Sequence, residues 1–188
     1  YTITPDPIVG LNSYDIINIT DGNGCVGIPS PNNASILVNP TPDINITVSG
    51  TNPICQGQDS ELFFPVISGT PPFNVNYLAG GSPLTTSVDG SGNQTSGNPM
   101  IISPTTTTTY TLTSVTDAKG CVNSLSNDAT LTVNEIPNVI VSGDTEICNQ
   151  DQTPLFFTFT SGTAPWTVNY NVASAPGSVT LYNTNDTL

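Results

Sequence analysis

Catalysis near neutral pH most often rests on a histidine, and this sequence of 188 residues has none. Lys119 is the single basic side chain against fourteen acids, which gives a formal charge of −13. A Ser/Lys dyad would have to use Lys119, yet the matching position in an earlier copy of the same segment is Asn23. The same mismatch argues against lysine–asparagine isopeptide cross-links. Two acidic pairs remain, Asp59/Glu61 and Asp144/Glu146. Glycoside hydrolysis needs two carboxyls facing across a cleft, and nothing in the pattern builds one. The plain role of these pairs is solubility and edge protection. The sharper role is a Ca²⁺ site at domain junctions, drawing on Asp43, Asp59 and Glu61 or on Asp144, Glu146 and Asp151, although neither EF-hand nor RTX spacing is present. No other metal, no cofactor and no enzymatic activity is expected.

The elements that must position these groups are written twice. Gly69-Thr-Pro-Pro-Phe-Asn-Val-Asn-Tyr77 returns 93 positions later as Gly162-Thr-Ala-Pro-Trp-Thr-Val-Asn-Tyr170. Ile54-Cys55 and Leu62-Phe63-Phe64 return at the same offset as Ile147-Cys148 and Leu155-Phe156-Phe157. Ser13-Tyr14 through Gly24-Cys25 matches Thr109-Tyr110 through Gly120-Cys121 at an offset of 96. A period of this length means tandem domains. The expected division is the back part of one repeat (1–44), a complete repeat (45–137) and the front part of another (138–188). The 40 residues after Cys148 and the 25 up to Cys25 of a following copy make 65, against 66 from Cys55 to Cys121, so two copies in series would rebuild a whole repeat. Two readings stay open: a window from a long tandem array, or a polymer whose subunits complete one another. The chain opens at Tyr1 without Met, as a mature or excised piece does.

Each repeat reads as strands with one apolar face. Leu62, Phe64 and Val66 persist as Leu155, Phe157 and Phe159, whereas Pro65 and Ile67 become Thr158 and Thr160. Period two therefore turns Leu62, Phe64 and Val66 inward. Phe73, Val75 and Tyr77 alternate with asparagines, Tyr110 and Leu112 with threonines, and Leu131 and Val133 likewise. Phe157, Trp166 and Tyr170 are the expected core of the last repeat. Asp117-Ala-Lys-Gly120 marks a hairpin turn. No segment carries a helical period. The expected fold is all-β: tandem immunoglobulin-like antiparallel sandwiches of about seven strands each.

One cysteine pair per repeat, at matching places, gives an expected disulfide Cys55–Cys121. Cys25 and Cys148 are then left to partners outside the window or in an adjacent copy. Asn18 and Asn93 sit in glycosylation triplets, and Asp186-Thr187-Leu188 matches the Asp-Thr-aliphatic triplet of bacterial O-glycosylation, making Thr187 a candidate acceptor.

Gly69-Thr-Pro-Pro-Phe, together with Pro104 through Cys121, resembles the immunoglobulin/PKD-like repeats of giant Bacteroidetes surface proteins, the SprB-like gliding-motility adhesins exported by the type IX system. The resemblance covers the whole window. It implies an extracellular, cell-surface location, outer-membrane-attached or secreted, and a structural role in a long fibre or adhesin. The expected partners are neighbouring repeats or adjacent copies in a filament, and a surface polysaccharide. So acidic a chain repels nucleic acid and anionic membrane surfaces, and no stretch is long and apolar enough to insert into a bilayer. The competing functions are a carbohydrate-binding module, which requires exposed aromatics, and an accessory domain of a large secreted enzyme.

Overall fold

A computed structural model describes residues 1–188 except Tyr1, Ile3, Pro5, Gly97, Asn98, Asp144, Thr184 and Leu188, with residues 185–187 described in their backbone only. Among the described residues every regular element is a β-strand. The reason is local: threonine and valine runs of period two favour a pleated surface, and glycine or proline interrupts each run within a few residues.

The chain begins with β1 (Gly10–Asp15), β2 (Ile19–Thr20), β3 (Val26–Gly27) and β4 (Asn33–Val38). β1 pairs antiparallel with β4, and β2 with β3. There follow β5 (Asp43–Ile44), β6 (Thr47–Val48), β7 (Ile54–Cys55), β8 (Ser60–Phe63), β9 (Val66–Ser68), β10 (Phe73–Ala79), β11 (Ser82–Val88), β12 (Met100–Ile102), β13 (Thr108–Thr116), β14 (Val122–Ser124), β15 (Asp128–Leu131) and β16 (Val133–Asn134). The largest sheet runs β11–β10–β13–β14, with β15 also on β13. β12, β8 and β6 form a second sheet, β5 pairs with β9, and β16 lies parallel to β7. The last elements are β17 (Asn138–Ser142), β18 (Phe156–Ser161), β19 (Trp166–Val172), β20 (Ala175–Leu181) and β21 (Asn185–Thr187), in sheets β17–β18–β21 and β19–β20.

The repeat at 45–137 thus holds more and shorter strands than the seven expected. Pro65 has no N–H to give a ladder and splits the run at 62–67 into β8 and β9. Contacts divide the chain into two compact units: residues 1–47, 62–100 and 109–129, and residues 48–61, 101–108 and 130–188. These units run across the repeat boundaries read from the sequence.

In the first unit Ile44, Ile46, Leu62, Phe64, Phe73, Val75, Tyr77, Val88, Tyr110, Leu112 and Val115 are buried. In the second, Ile54, Ile102, Leu131, Phe157, Phe159, Trp166 and Leu181 are. Ile67 is mostly exposed, so the inward face read from the alternation is the right one. Three residues expected in the core are only half-buried. Val66 lies beyond the Pro65 break, Val133 sits in a two-residue ladder, and Tyr170 is on a strand that pairs, among the described residues, with β20 alone.

Phe64 and Tyr77 meet at 6.0 Å with their rings tilted by 60°, and the Tyr77 hydroxyl lies 3.7 Å from the Met100 sulfur. Burial, and then the neighbouring Tyr110, push the Tyr77 phenol above its ordinary value of 10.0; burial does the same to Tyr110. The fold holds both phenols neutral while the unfolded chain ionises. Their contribution is therefore complete below about pH 10 and declines as pH rises through the higher folded values. Thermal melts across that range should fall more steeply for the native chain than for a Tyr77→Phe/Tyr110→Phe variant. Parallel curves would show that these phenols carry no pH dependence.

Candidate functional site: the open edge of the last sheet

The repeated nonamers build the same local structure. β10 pairs with β11 through seven residue pairs, from Phe73↔Val88 to Ala79↔Ser82. β19 pairs with β20 through the seven equivalent pairs, from Trp166↔Leu181 to Val172↔Ala175. Each nonamer opens on a glycine in the left-handed region, Gly69 at φ 108° and Gly162 at φ 86°. Each glycine backs onto a linker proline: a Cβ on Gly69 would lie 2.9 Å from Pro42 Cα, and one on Gly162 would lie 2.7 Å from Pro137 Cα. These words fasten the start of a strand to the linker before it.

The two copies differ in their surroundings. β10 has β11 on one edge and β13 on the other. Among the described residues β19 has β20 alone. Phe159 and Trp166 stack at 4.1 Å with an interplanar angle of 8° and, with Phe157 and Leu181, form a small core. Beside it lies a cavity of about 660 Å³ whose lining includes Glu135, Pro137, Val139, Phe159, Trp166 and Val168. Trp166 Nε1 is buried with no hydrogen-bond partner. Leaving such a donor unpaired costs about 1–3 kcal/mol.

The acidic candidates do not converge. Asp59 accepts a hydrogen bond from Ser103 Oγ; Glu61 is half-buried, and Glu146 and Asp151 are exposed. Asp144 lies outside the described residues. Among the described residues no three potential metal ligands gather. The acid with a built environment is instead Asp117, which is buried. Burial opposes its charge. The backbone N–H groups of Thr70 (3.1 Å), Cys121 (3.0 Å) and Lys119 (2.9 Å), with the Lys119 ammonium nearby, outweigh this and hold its carboxyl below the ordinary range. Asp21 accepts the equivalent N–H groups of Asn23 and Cys25, both at 2.9 Å. Sequence reading recognised the turn but missed the role of its aspartate. The signal was present: Asp and Gly persist in Asp21-Gly-Asn-Gly24 and Asp117-Ala-Lys-Gly120 while the residues between them change. Asn18 is exposed, Asn93 is half-buried, and the Thr187 side chain lies outside the described residues.

The Cys55–Cys121 bond is not formed; all four cysteines are free. Cys121 closes the turn after the last residue of β13, its carbonyl accepting from Asp117 N–H. Cys55 pairs with Asn134, next to Val133, whose N–H donates to Thr107 just ahead of the first residue of β13. Each cysteine is held by its own local structure instead, Cys55 in the β7–β16 ladder and Cys121 in the Asp117 turn.

No protein-family model matches the chain, and no curated protein does. Among solved structures, a Ca²⁺-stabilised adhesin that helps an Antarctic bacterium reach out and bind ice is similar, with a TM-score of 0.43 and 14% identity. The match covers 93% of this chain but 47% of that one, so the chain spans about half its length. A score of that size leaves function to be argued from the chain's own residues.

Proposed function

We propose that this chain is a structural segment of a long extracellular surface fibre or adhesin, made of the back of one repeat (1–44), a complete repeat (45–137) and the front of another (138–188). The observation that carries this reading is the seven-pair register repeated between β10–β11 and β19–β20. Recurring words that set packing and linker geometry are what a periodic rod requires. The scarcity of groups suited to acid–base chemistry supports the same reading: the sequence has no histidine, and Lys119 is exposed in a turn. Resemblance to the SprB-like repeats extends the proposal to adhesion or gliding motility at a Bacteroidetes surface, after type IX export. A glycan-binding platform is less well supported, because Tyr110 and Trp166 are buried and Tyr14 is half-buried. Among the described residues no helix is long and apolar enough to cross a membrane.

The test is immunogold labelling of intact and of thin-sectioned cells with an antibody against residues 45–137. Gold arrayed along extracellular filaments is the expected result. Label confined to the cytoplasm would overturn the proposal.

A further inference from the structure

The two linkers are fastened to the repeat that follows them in the same way. In the first, Ser68 Oγ donates to the Thr41 carbonyl at 2.8 Å, Pro42 packs against Gly69, and Asp43 pairs with Ser68. In the second, Ser161 Oγ donates to the Ile136 carbonyl at 2.6 Å, Pro137 packs against Gly162, and Asn138 pairs with Ser161. Both ladders then shift register at the same place, between Asp43 and Ile44 and between Asn138 and Val139. A hydrogen bond, a close backbone approach and a bulge kept together in two copies are built features. They fix where each linker enters the following repeat.

The second linker is also tied to the repeat before it. The Asn134 carbonyl accepts from Gln56 N–H at 2.9 Å, and Val133 N–H donates to Thr107 Oγ1 at 3.0 Å. Residues 48–61, 101–108 and 130–188 lie in one compact unit, so the boundary after residue 137 runs through the interior of that unit. Between the two ties stands Glu135, which is exposed. Ile136 is held to extended conformations by the proline after it, and Pro137 has a fixed φ. Glu135 is neither a proline nor followed by one. The first linker has no such residue: Val38 ends β4, Asn39 precedes a proline and Pro40 is one.

We propose that Glu135 is the pivot between the complete repeat and the next, in a joint that is otherwise stiff, and that the linker at 39–43 has no pivot. Residues up to Asn134 keep the orientation of the repeat before, and residues 136–138 keep that of the repeat after. A hinge of this kind absorbs a change of orientation at one or two residues while the elements on either side stay intact. Bending is therefore placed by the residue after the linker asparagine: Asn39-Pro40 closes one joint, and Asn134-Glu135 opens the other. The inference rests on the repeat boundaries of the proposed function and not on where the fibre is displayed. Gold labelling reads location and the experiment below reads the joint, so either can fail alone.

The experiment measures residual dipolar couplings on the weakly aligned, isotopically labelled 188-residue chain. Amides of 48–61, 101–108 and 130–134 give one alignment magnitude, and those of 138–142 and 156–181 a second. Motion at a pivot averages couplings, so the second magnitude should be the smaller in the native chain. Glu135→Pro should bring the two together, and Glu135→Gly should drive them further apart. These substitutions leave every strand unaltered, so a changed ratio reports the linker and not local order. Ser161→Ala, which unties Ile136, should also lower the ratio, and Ser161→Thr, which keeps the hydroxyl, should restore it. Across the first linker, amides of 10–38 should share one magnitude with those of 62–88 and 110–124. A ratio that neither Glu135 variant moves overturns the proposal. So does a ratio unchanged by Ser161→Ala, or averaging across the first linker as large as across the second. If Glu135→Pro loses the native circular dichroism spectrum, Glu135→Gly decides alone, and an unchanged ratio there overturns the proposal.

Discussion

Phe73→Ala should cost about 3–5 kcal/mol of stability, the range for removing a fully buried phenylalanine. Phe73 is completely enclosed, on a strand with neighbours on both edges, and one side of its ring presses against Gly69. Nothing nearby can collapse into the space without moving backbone. Trp166 holds the same place 93 residues later but borders a large cavity, where the loss of an indole is partly relieved by rearrangement and by water. The same contrast holds for Leu62→Ala, at about 2–5 kcal/mol, against Leu155→Ala, where partial exposure reduces the transfer loss to about 1 kcal/mol. Urea unfolding followed by circular dichroism checks both pairs. A midpoint shift for Trp166→Ala as large as that for Phe73→Ala would mean that the last repeat is as tightly packed as the complete one.

The second large effect is expected at Gly69. At φ 108° a side chain strains the backbone by about 1–2 kcal/mol. The added Cβ would also lie 2.8 Å from the Phe73 ring and 2.9 Å from Pro42 Cα, both fixed, which adds about 1–3 kcal/mol of overpacking. Gly69→Ala should therefore cost about 2–5 kcal/mol in total. Gly57 supplies the control, with φ 87° and nothing within 4 Å of its Cβ position. Gly57→Ala should show the backbone cost alone. Equal unfolding midpoints for the two variants would mean that the contact between Gly69 and the linker proline yields easily.

What was legible in the sequence was whatever depends on nearby residues. The inward face at Leu62 and Phe64 follows from alternation, and a second copy with threonine at the outward positions removes the ambiguity of a single apolar run. The kinship of the nonamers was legible because their strand and turn are contiguous in the chain. The disulfide was not, because bond geometry depends on where the fold places each cysteine, and spacing along the chain carries no such information. Val66 shows a smaller failure of the same kind: period two continues through Pro65 on paper, but a residue without an N–H ends the ladder there. The acceptor role of Asp117 depends on Thr70, 47 residues away, and only the repeat could have hinted at it.

The parallel pairing of β16 with β7 bears on how such a segment would behave under load. Ile54 N–H donates to Thr132 and Gln56 N–H to Asn134. The Asn52 side chain donates to the Thr130 carbonyl and accepts from Thr132 N–H. A pull transmitted along β16 meets these four bonds in shear, so they must yield together rather than peel apart one after another. Residues 52–56 and 130–134 would then act as the mechanical clamp of the repeat, and Asn52→Ala would lower its rupture force.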